Sequence, residues 1–459
     1  TGNAIIEAER EANQGKITFQ VWRDENYVKR SGKQDVSSVD IDKLFAAARD
    51  DNTLYDWKDE EKRTQEVKDA SFDKYPLKPV NLDIELTLNT LPDYGDGLLE
   101  DCPKTKAILE NAFKVLEKKF VEVPGKSRSG RGGVIEAMAL LASGKPEHKK
   151  LVHEWVRSKN SPWRPPTVPA GTMFEPGYKG YKGYQTWHHG YNGLYCALYY
   201  EATGDDFVLP ALTKAATDAA MGQSKLGSWG HTFAYPSFNG GEFNRMNPGY
   251  GALNAAGNRC YFLVTLAQKL GVRNAHIDRA VERATSFFGS YTDQGCIPYG
   301  DHGAYGSDDS NGKNTGVAFS MLLLGKEHEA KYFARMSGHC AFTRRGGHAH
   351  DYHGNWSSWA SNINGPKLRA LQERNLRWRR TLSRTHDGSF VYHGGYGQLR
   401  NETATQVMHQ ASIYKQLLIT GKGIPESYHI TDTEMKRLSL IHISEPTRQY
   451  CQSRMPSSA

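Results

Sequence analysis

Long apolar segments are absent from this sequence of 459 residues, of which 38% are hydrophobic. No run approaches the roughly 18 apolar residues that a transmembrane helix requires, so we predict no membrane span. Cysteine is scarce as well, because the six residues are widely spaced and none forms a Cys-x-x-Cys pair. This spacing argues against a zinc knuckle or a disulfide framework and favours small buried thiols.

The sequence has no segment in which charged residues of one sign are concentrated. The 58 Lys and Arg residues are interspersed with 51 Asp and Glu residues, and the net charge is +7. We therefore predict no nucleic-acid partner and a weak preference for acidic ligands, including anionic polysaccharides. The Gly-x-Ser-x-Gly nucleophile turn and the Gly-x-x-x-x-Gly-Lys-Ser/Thr phosphate loop are also missing, so serine-hydrolase and P-loop chemistries find no support.

The first 92 residues combine a predicted helix with two predicted strands. The helix covers Ala4–Asn13, and the alternating segments Ile17–Trp22 and Leu82–Leu88 read as half-buried strands. This order resembles the closing half of a bacterial PDZ domain. We therefore interpret residues 1–92 as a partial PDZ-like segment with a polar insertion between the strands. A complete domain of that kind would recruit a peptide partner.

A repeat follows, in which an outer helix, a long loop and an inner helix end at a Gly-containing stop. The predicted inner helices are Val134–Leu141, Tyr191–Tyr200, Ala252–Gln268, Val317–Leu324, Trp356–Asn362 and Thr405–Ile419. The predicted outer helices are Ile108–Lys119, Lys149–Arg157, Leu209–Met221, Ile277–Phe288, Glu329–Met336 and Leu368–Thr381. Six such hairpins predict a mainly α fold, an (α/α)6 toroid, over residues 93–429.

Two local motifs support this architecture. Gln223–Trp229 fits the Gln-x-x-x-Gly-x-Trp pattern of terpenoid-cyclase repeats, and His386–Phe390 is similar to the Asp-Gly-Gly-Phe turns of the same superfamily. Residues 101–428 thus resemble the terpenoid-cyclase and protein-prenyltransferase type of α/α toroid. More closely, the chain resembles an uncharacterised bacterial family with a PDZ domain ahead of a toroid.

The departures from those enzymes are informative about chemistry. Cyclases protonate their substrate with an Asp-x-Asp-Asp acid, whereas Gly306–Asp309 lacks the first acid. The Asp-x-Cys zinc motif of prenyltransferases is missing at the corresponding place. Cyclisation and prenyl transfer are therefore disfavoured.

Reactive side chains are concentrated in the loops before the inner helices, which a toroid brings to one face. The predicted catalytic residues are His189, Tyr191, Asp301, Asp308, His350 and Asp351. The predicted substrate-binding residues are Trp187, His188, Asn192, Trp229, His231, Tyr250, Arg344, Arg345 and Trp356. We expect the loop Arg344–Trp356 to form the centre of the site, with His350 and Asp351 facing His188 or His189.

These residues leave several chemistries open. Tyr191 or His189 as base, with Asn192 and the Arg344–Arg345 pair on the carboxylate, would suit β-elimination of uronic-acid polymers. Asp301 with Asp308 or Asp309 would suit hydrolysis. The run His348–His353 could hold a divalent metal, supply metal-free acid and base groups, or satisfy loop backbone. The cofactor stays unknown.

The predicted function is a glycan-active enzyme, a polysaccharide lyase or glycoside hydrolase, and the alternative is a non-catalytic PDZ-linked binding or scaffolding module. An extracytoplasmic location, periplasmic or secreted, fits either. Because the chain starts at Thr1 without Met, we expect residues to precede it. Residues 430–459 are expected to be a disordered tail, and Leu438–Ala459 resembles the conceptual translation of a sequencing adapter.

Overall fold

The computed structural model describes residues 19–24, 77–82, 91–92, 94–95, 97–122, 131–178, 184–249, 251–303, 311–339, 359–385, 387–391 and 402–436. The chain separates into two compact units, Thr1–Thr90 and Leu91–Ala459. The described residues are mainly helical, as predicted. Among the described helices, none has the length and hydropathy needed to cross a membrane.

The first unit contains an antiparallel pair of strands, β1 (Phe19–Asp24) and β2 (Leu77–Leu82), in which Phe19 faces Leu82 and Asp24 faces Leu77. The strand β1 is shifted two residues from the prediction. The strand β2 ends where the predicted second strand begins. Sequence reasoning passed over this segment because it contains Pro79, which removes a donor from the ladder but is tolerated at a sheet edge. The predicted helix Ala4–Asn13 lies outside the described residues.

The second unit is built from helices. Their bounds are α1 Pro103–Glu122, α2 Arg131–Leu141, α3 Pro146–Arg157, α4 Gln185–His188, α5 Leu194–Thr203, α6 Leu209–Met221, α7 Asn254–Lys269, α8 Ala275–Gly289, α9 Asn311–Leu323, α10 Glu327–His339, α11 Pro366–Ser383 and α12 Glu402–Gln410. A π-helical turn, His189–Gly193, joins α4 to α5. The six glycines at the predicted stops all have positive φ, from +64° at Gly204 to +102° at Gly421. Glycine tolerates positive φ because it has no Cβ, and a residue with positive φ ends the preceding helix or turn.

Helices from successive repeats pack against one another in the core. Helix α2 contacts α5, α5 contacts α7, α7 contacts α9, and α12 returns to α2. Every residue of α7 from Asn254 to Ala267 is buried, so this helix is enclosed on all sides. The rings of Phe262 and Phe319 stack at 5.2 Å between α7 and α9.

The last two repeats differ from the prediction in detail. Of the predicted inner helix Trp356–Asn362, the described part is helical only at Trp359 and Ala360 before a turn that ends at Gly365. The predicted helix Thr405–Ile419 is wrong in its extent, because α12 ends at Gln410 and short 3-10 turns follow. Lys415 has a positive φ of 48°, which is incompatible with helix continuation.

We predict that His148 makes the stability of the fold depend on pH near neutrality. This residue of α3 is 1% exposed, hydrogen-bonds with the Ser143 hydroxyl at 2.8 Å, and lies 3.8 Å from the Glu117 carboxylate. Burial lowers its pKa below the ordinary 6.5, although Glu117 partly offsets this effect. The folded state therefore binds fewer protons than the unfolded state, and stability falls as the pH drops below about 6.5.

The measurement is the melting temperature of the full chain between neutral and mildly acidic pH. His148→Gln should flatten its decline, whereas His276→Gln should leave the decline unchanged, because His276 is an exposed residue of α8. An unchanged slope in His148→Gln would contradict the assignment.

Candidate functional site

Three loops meet at the amino end of α7, and Asn254 holds two of them together. Its side-chain oxygen accepts from the Ser228 hydroxyl at 2.7 Å, while its amide donates to the carbonyls of Pro298 (3.1 Å) and Gly300 (2.6 Å). The Asn254 backbone N–H donates to the Tyr299 carbonyl at 2.8 Å. A buried Asn that hydrogen-bonds to both loops fixes their relative position.

The third loop, which contains Thr186 and Trp187, is connected to the other loops and to α7 by a backbone hydrogen bond and by side-chain packing. The Thr186 N–H donates to the His231 carbonyl at 3.3 Å, and the Cys260 thiol of α7 lies 3.5 Å from the Thr186 carbonyl. Trp187 and Tyr299, from different loops, both pack on a small apolar cluster of Leu253, Ala255 and Ala256. We call residues 184–193, 227–234 and 296–303 together the α7 loop cluster.

Trp187 is a half-buried aromatic residue of this cluster. Its indole N–H donates to His231 Nδ1 at 2.9 Å, so the neutral imidazole carries its proton on Nε2. The Tyr191 ring lies nearly parallel to it, with centroids 6.3 Å apart and planes inclined by 11°. The indole is thus held in one orientation by a hydrogen bond and by ring packing.

Arg259 lies beneath these rings and was missed by the sequence reasoning. It is fully buried in α7, with its guanidinium 4.5 Å from the centroid of Tyr191 and 5.4 Å from that of Trp187. It also donates to the Ala255 carbonyl. A cation over aromatic faces is stabilising when both are withdrawn from water. The available signal was a single Arg within the otherwise uncharged run Asn254–Gln268.

Of the two residues predicted to be catalytic at the π-helical turn, Tyr191 is fully buried and His189 is partly exposed. His189 Nδ1–H donates to the Gln185 carbonyl at 3.1 Å, and its Nε2 lies 3.6 Å from Asp218 Oδ2. Tyr191 has no exposed surface. Both positions therefore support the packing of the π-helical turn.

Asp218 is the fully buried partner of His189. It accepts from Lys214 Nζ at 2.8 Å and from the Gly171 N–H at 2.7 Å. Burial would raise the pKa of its carboxyl, but the bonds from His189, Lys214 and Gly171 together hold it below the ordinary value. The carboxylate is thus charged and ties the loop that precedes α4 to helix α6.

The other described candidates divide between surface and core. His188 and Asp301 are exposed, and His302 beside Asp301 is exposed too. Asn192 is half-buried, and its backbone carbonyl accepts from the Trp163 indole at 2.9 Å. Asp301, one of the predicted catalytic residues, therefore has a carboxylate that is accessible from solvent at this cluster.

Trp229 and Gln223 of the cyclase-like motif are both buried and bind backbone. The Trp229 indole N–H donates to the Ala219 carbonyl at 2.7 Å, near the carboxyl end of α6, where carbonyls lack helical partners. The Gln223 amide donates to the carbonyls of Gly227 (3.1 Å) and Ala280 (2.9 Å). The motif thus stabilises the fold, with Trp229 rather than Gln223 satisfying the helix end.

Seven predicted site residues lie outside the described residues: Asp308, His350, Asp351, Tyr250, Arg344, Arg345 and Trp356. The His348–His353 run, on which the metal hypothesis rested, lies outside them as well. Within the described part of the chain, no group of three or more His, Cys, Asp or Glu side chains is arranged to hold a metal ion.

One family model, described as a domain of unknown function (DUF6288), matches residues 105–421. The chain belongs to this family. The match covers more than half of the sequence and includes the whole α7 loop cluster. No curated protein and no solved structure gives a significant match. The resemblances to a PDZ domain and to terpenoid cyclases stay predictions.

Proposed function

We propose that the helical unit acts on a glycan that lies across the α7 loop cluster. The observation that carries this proposal is the half-buried Trp187, whose indole is fixed by His231 and which packs on the same apolar cluster as Tyr299, two residues before the exposed Asp301. Aromatic faces held at a partly open surface stack on sugar rings, and adjacent polar groups bind hydroxyls.

The charges around the cluster support an acidic glycan. Arg259 lies under the aromatic rings, and Lys313 of α9, which is 1% exposed, places its ammonium 6.0 Å from the Tyr299 ring centroid. The amino end of α7 contributes a partial positive charge at the same place. Both cations are buried, so they would favour carboxylated or sulfated sugars through their electric field rather than by direct contact.

Of the two reactions suggested by the sequence, hydrolysis fits the described residues better. Hydrolysis needs one carboxylic acid to protonate the glycosidic oxygen and one carboxylate to activate water. Asp301 is exposed and suits one of these roles, and we propose Asp308 for the other. Elimination would need an accessible base, whereas Tyr191 has no exposed surface and the partly exposed His189 lies 3.6 Å from the Asp218 carboxylate. His350 and Asp351 stay proposed contributors to the same site.

We further infer that the six hairpins close into an (α/α)6 toroid and that residues 1–92 form a PDZ-like segment. The return contact of α12 on α2 supports closure, as does the stacking of Trp359 on His409 at 5.3 Å between the fifth and sixth repeats. In such a ring the loops that precede the inner helices share one mouth.

Binding without turnover is the second candidate function. The burial of Tyr191 favours it, since this removes one predicted base from the surface. In that case the cluster would hold a glycan while the PDZ-like segment recruits a peptide.

A polysaccharide panel separates these possibilities. The full chain is incubated with uronic-acid-containing, sulfated and neutral polysaccharides, while reducing ends, ultraviolet absorbance of unsaturated uronides and binding are followed. We expect new reducing ends without unsaturated products on an acidic glycan. Unsaturated products would instead establish elimination, and binding alone would establish the second candidate. Absence of both binding and turnover on the whole panel would contradict the proposal.

A further inference from the structure

A second cleft lies within the helical unit, between the segment 94–102, the amino end of α1 and helix α11. It is open to solvent at its mouth. The polar side chains that line it are Thr105, Glu373, Arg377, Arg380 and Gln410, together with the thiol of Cys102. None of these residues belongs to the α7 loop cluster.

Among the described residues that line the cleft, positive charge is in excess. Glu373 is the carboxylate among its lining residues, and it is already bound by two buried arginines. Arg380 donates to it through Nε at 2.6 Å and Nη2 at 2.5 Å, and Arg369 Nη1 lies 2.6 Å from Oε1. One carboxylate thus serves two guanidinium groups, which leaves a net positive charge before Arg377 is counted.

Arg377 is the half-buried cation of the cleft. Its guanidinium donates to the Gly95 carbonyl and lies 4.7 Å from the Tyr94 ring centroid. Within the described residues no carboxylate forms an ion pair with it. These contacts hold the group in place while most of its N–H donors stay available.

Two further features of the cleft suit an anion. Gln410 is 3% exposed. Within the described chain, its side-chain amide makes one hydrogen bond, a long donation of 3.5 Å to the Gln406 carbonyl. Burial would raise the pKa of the Cys102 thiol, but hydrogen bonds from Thr105 and the Gly95 N–H, together with Arg377, lower it below the ordinary value. Surroundings that favour a thiolate also favour other negative charge.

We propose that this cleft binds a small ligand through an oxyanion group, a phosphate, sulfate or carboxylate, held by Arg377, with Gln410 as a further donor. A planar guanidinium donates two parallel hydrogen bonds to such a group. The oxyanion would supply negative charge for the guanidinium groups that the single carboxylate of Glu373 does not neutralise.

The test is calorimetric titration of the full chain with phosphate, sulfate and acetate in separate experiments, with chloride keeping the ionic strength constant. We expect saturable binding of at least one anion. Arg377→Gln should weaken that binding at least tenfold, which corresponds to about 1.4 kcal/mol. Arg374→Gln is the matched control, because Arg374 is an exposed residue of the same helix. This variant should bind within about twofold of the wild type.

An isosteric variant keeps the test decisive if Arg377→Gln folds poorly. Gln410→Glu places a carboxylate in the cleft, so it should abolish anion binding without loss of the helical circular-dichroism signal. Two results would overturn the proposal. One is the absence of saturable binding of all three anions by the wild type. The other is equal weakening by Arg377→Gln and Arg374→Gln, which would show general surface attraction only.

Discussion

Replacing Glu373 with glutamine is expected to lower the free energy of unfolding by about 3–5 kcal/mol. Glu373 is 5% exposed and is the shared acceptor of Arg369 and Arg380. The amide cannot neutralise either cation, so two guanidinium groups would stay buried without a counter-charge. The melting temperature of the full chain should drop by several degrees.

The same site predicts the direction of a pH effect. Burial would raise the pKa of Glu373, but the charges of Arg369 and Arg380 hold it below the ordinary 4.5. Its contribution to stability is therefore present above about pH 4.5 and is lost as the pH falls through the folded-state pKa. Glu282→Gln, an exposed change on α8, should alter the free energy of unfolding by less than about 0.5 kcal/mol. Equal effects of the two changes would contradict this account.

Replacing Trp229 with alanine is expected to cost about 3–5 kcal/mol of folding free energy. The ring is fully buried, and its N–H binds the Ala219 carbonyl at the end of α6. Trp229→Phe keeps much of the packing and loses the hydrogen bond, so its cost should be nearer 1–2 kcal/mol, roughly. Thermal or urea unfolding gives both values.

This experiment also separates the two roles proposed for Trp229. Phe238→Ala is the control, because Phe238 is 54% exposed and its loss should change stability little. If Trp229→Ala keeps wild-type stability and loses glycan binding, Trp229 belongs to the ligand site and the structural role described above is wrong.

Local chemistry made the repeats readable from the sequence. Each stop contains a glycine that adopts positive φ, and whether a helix ends in this way is determined by a few neighbouring residues. The strand Leu77–Leu82 was missed for the opposite reason, because Pro79 is unfavourable locally and is tolerated only at the edge of a sheet.

The site was less predictable because burial is a property of the whole fold. His189 and Trp187 are two residues apart in a loop rich in reactive side chains, yet one faces the buried Asp218 and the other is partly open to solvent. The π-helical turn at His189–Gly193 sets these directions, and its pattern is not evident from residue types. Arg259 was missed because it lies within an inner helix, whereas the site residues were predicted from the loops that precede the inner helices.

The most direct test of the proposed glycan site is the effect of Trp187→Ala on affinity for the acidic polysaccharide that the panel identifies. Stacking of a nucleic-acid base on an aromatic side chain contributes about 1–3 kcal/mol, and a contribution of that size from a sugar ring would lower affinity by about 5-fold to 150-fold. Tyr200→Ala is the matched control, since Tyr200 is a partly buried aromatic residue near the opposite end of α5. We predict loss of affinity in Trp187→Ala and wild-type affinity in Tyr200→Ala. Unchanged affinity in Trp187→Ala, or equal loss in both variants, would contradict a glycan site at the α7 loop cluster.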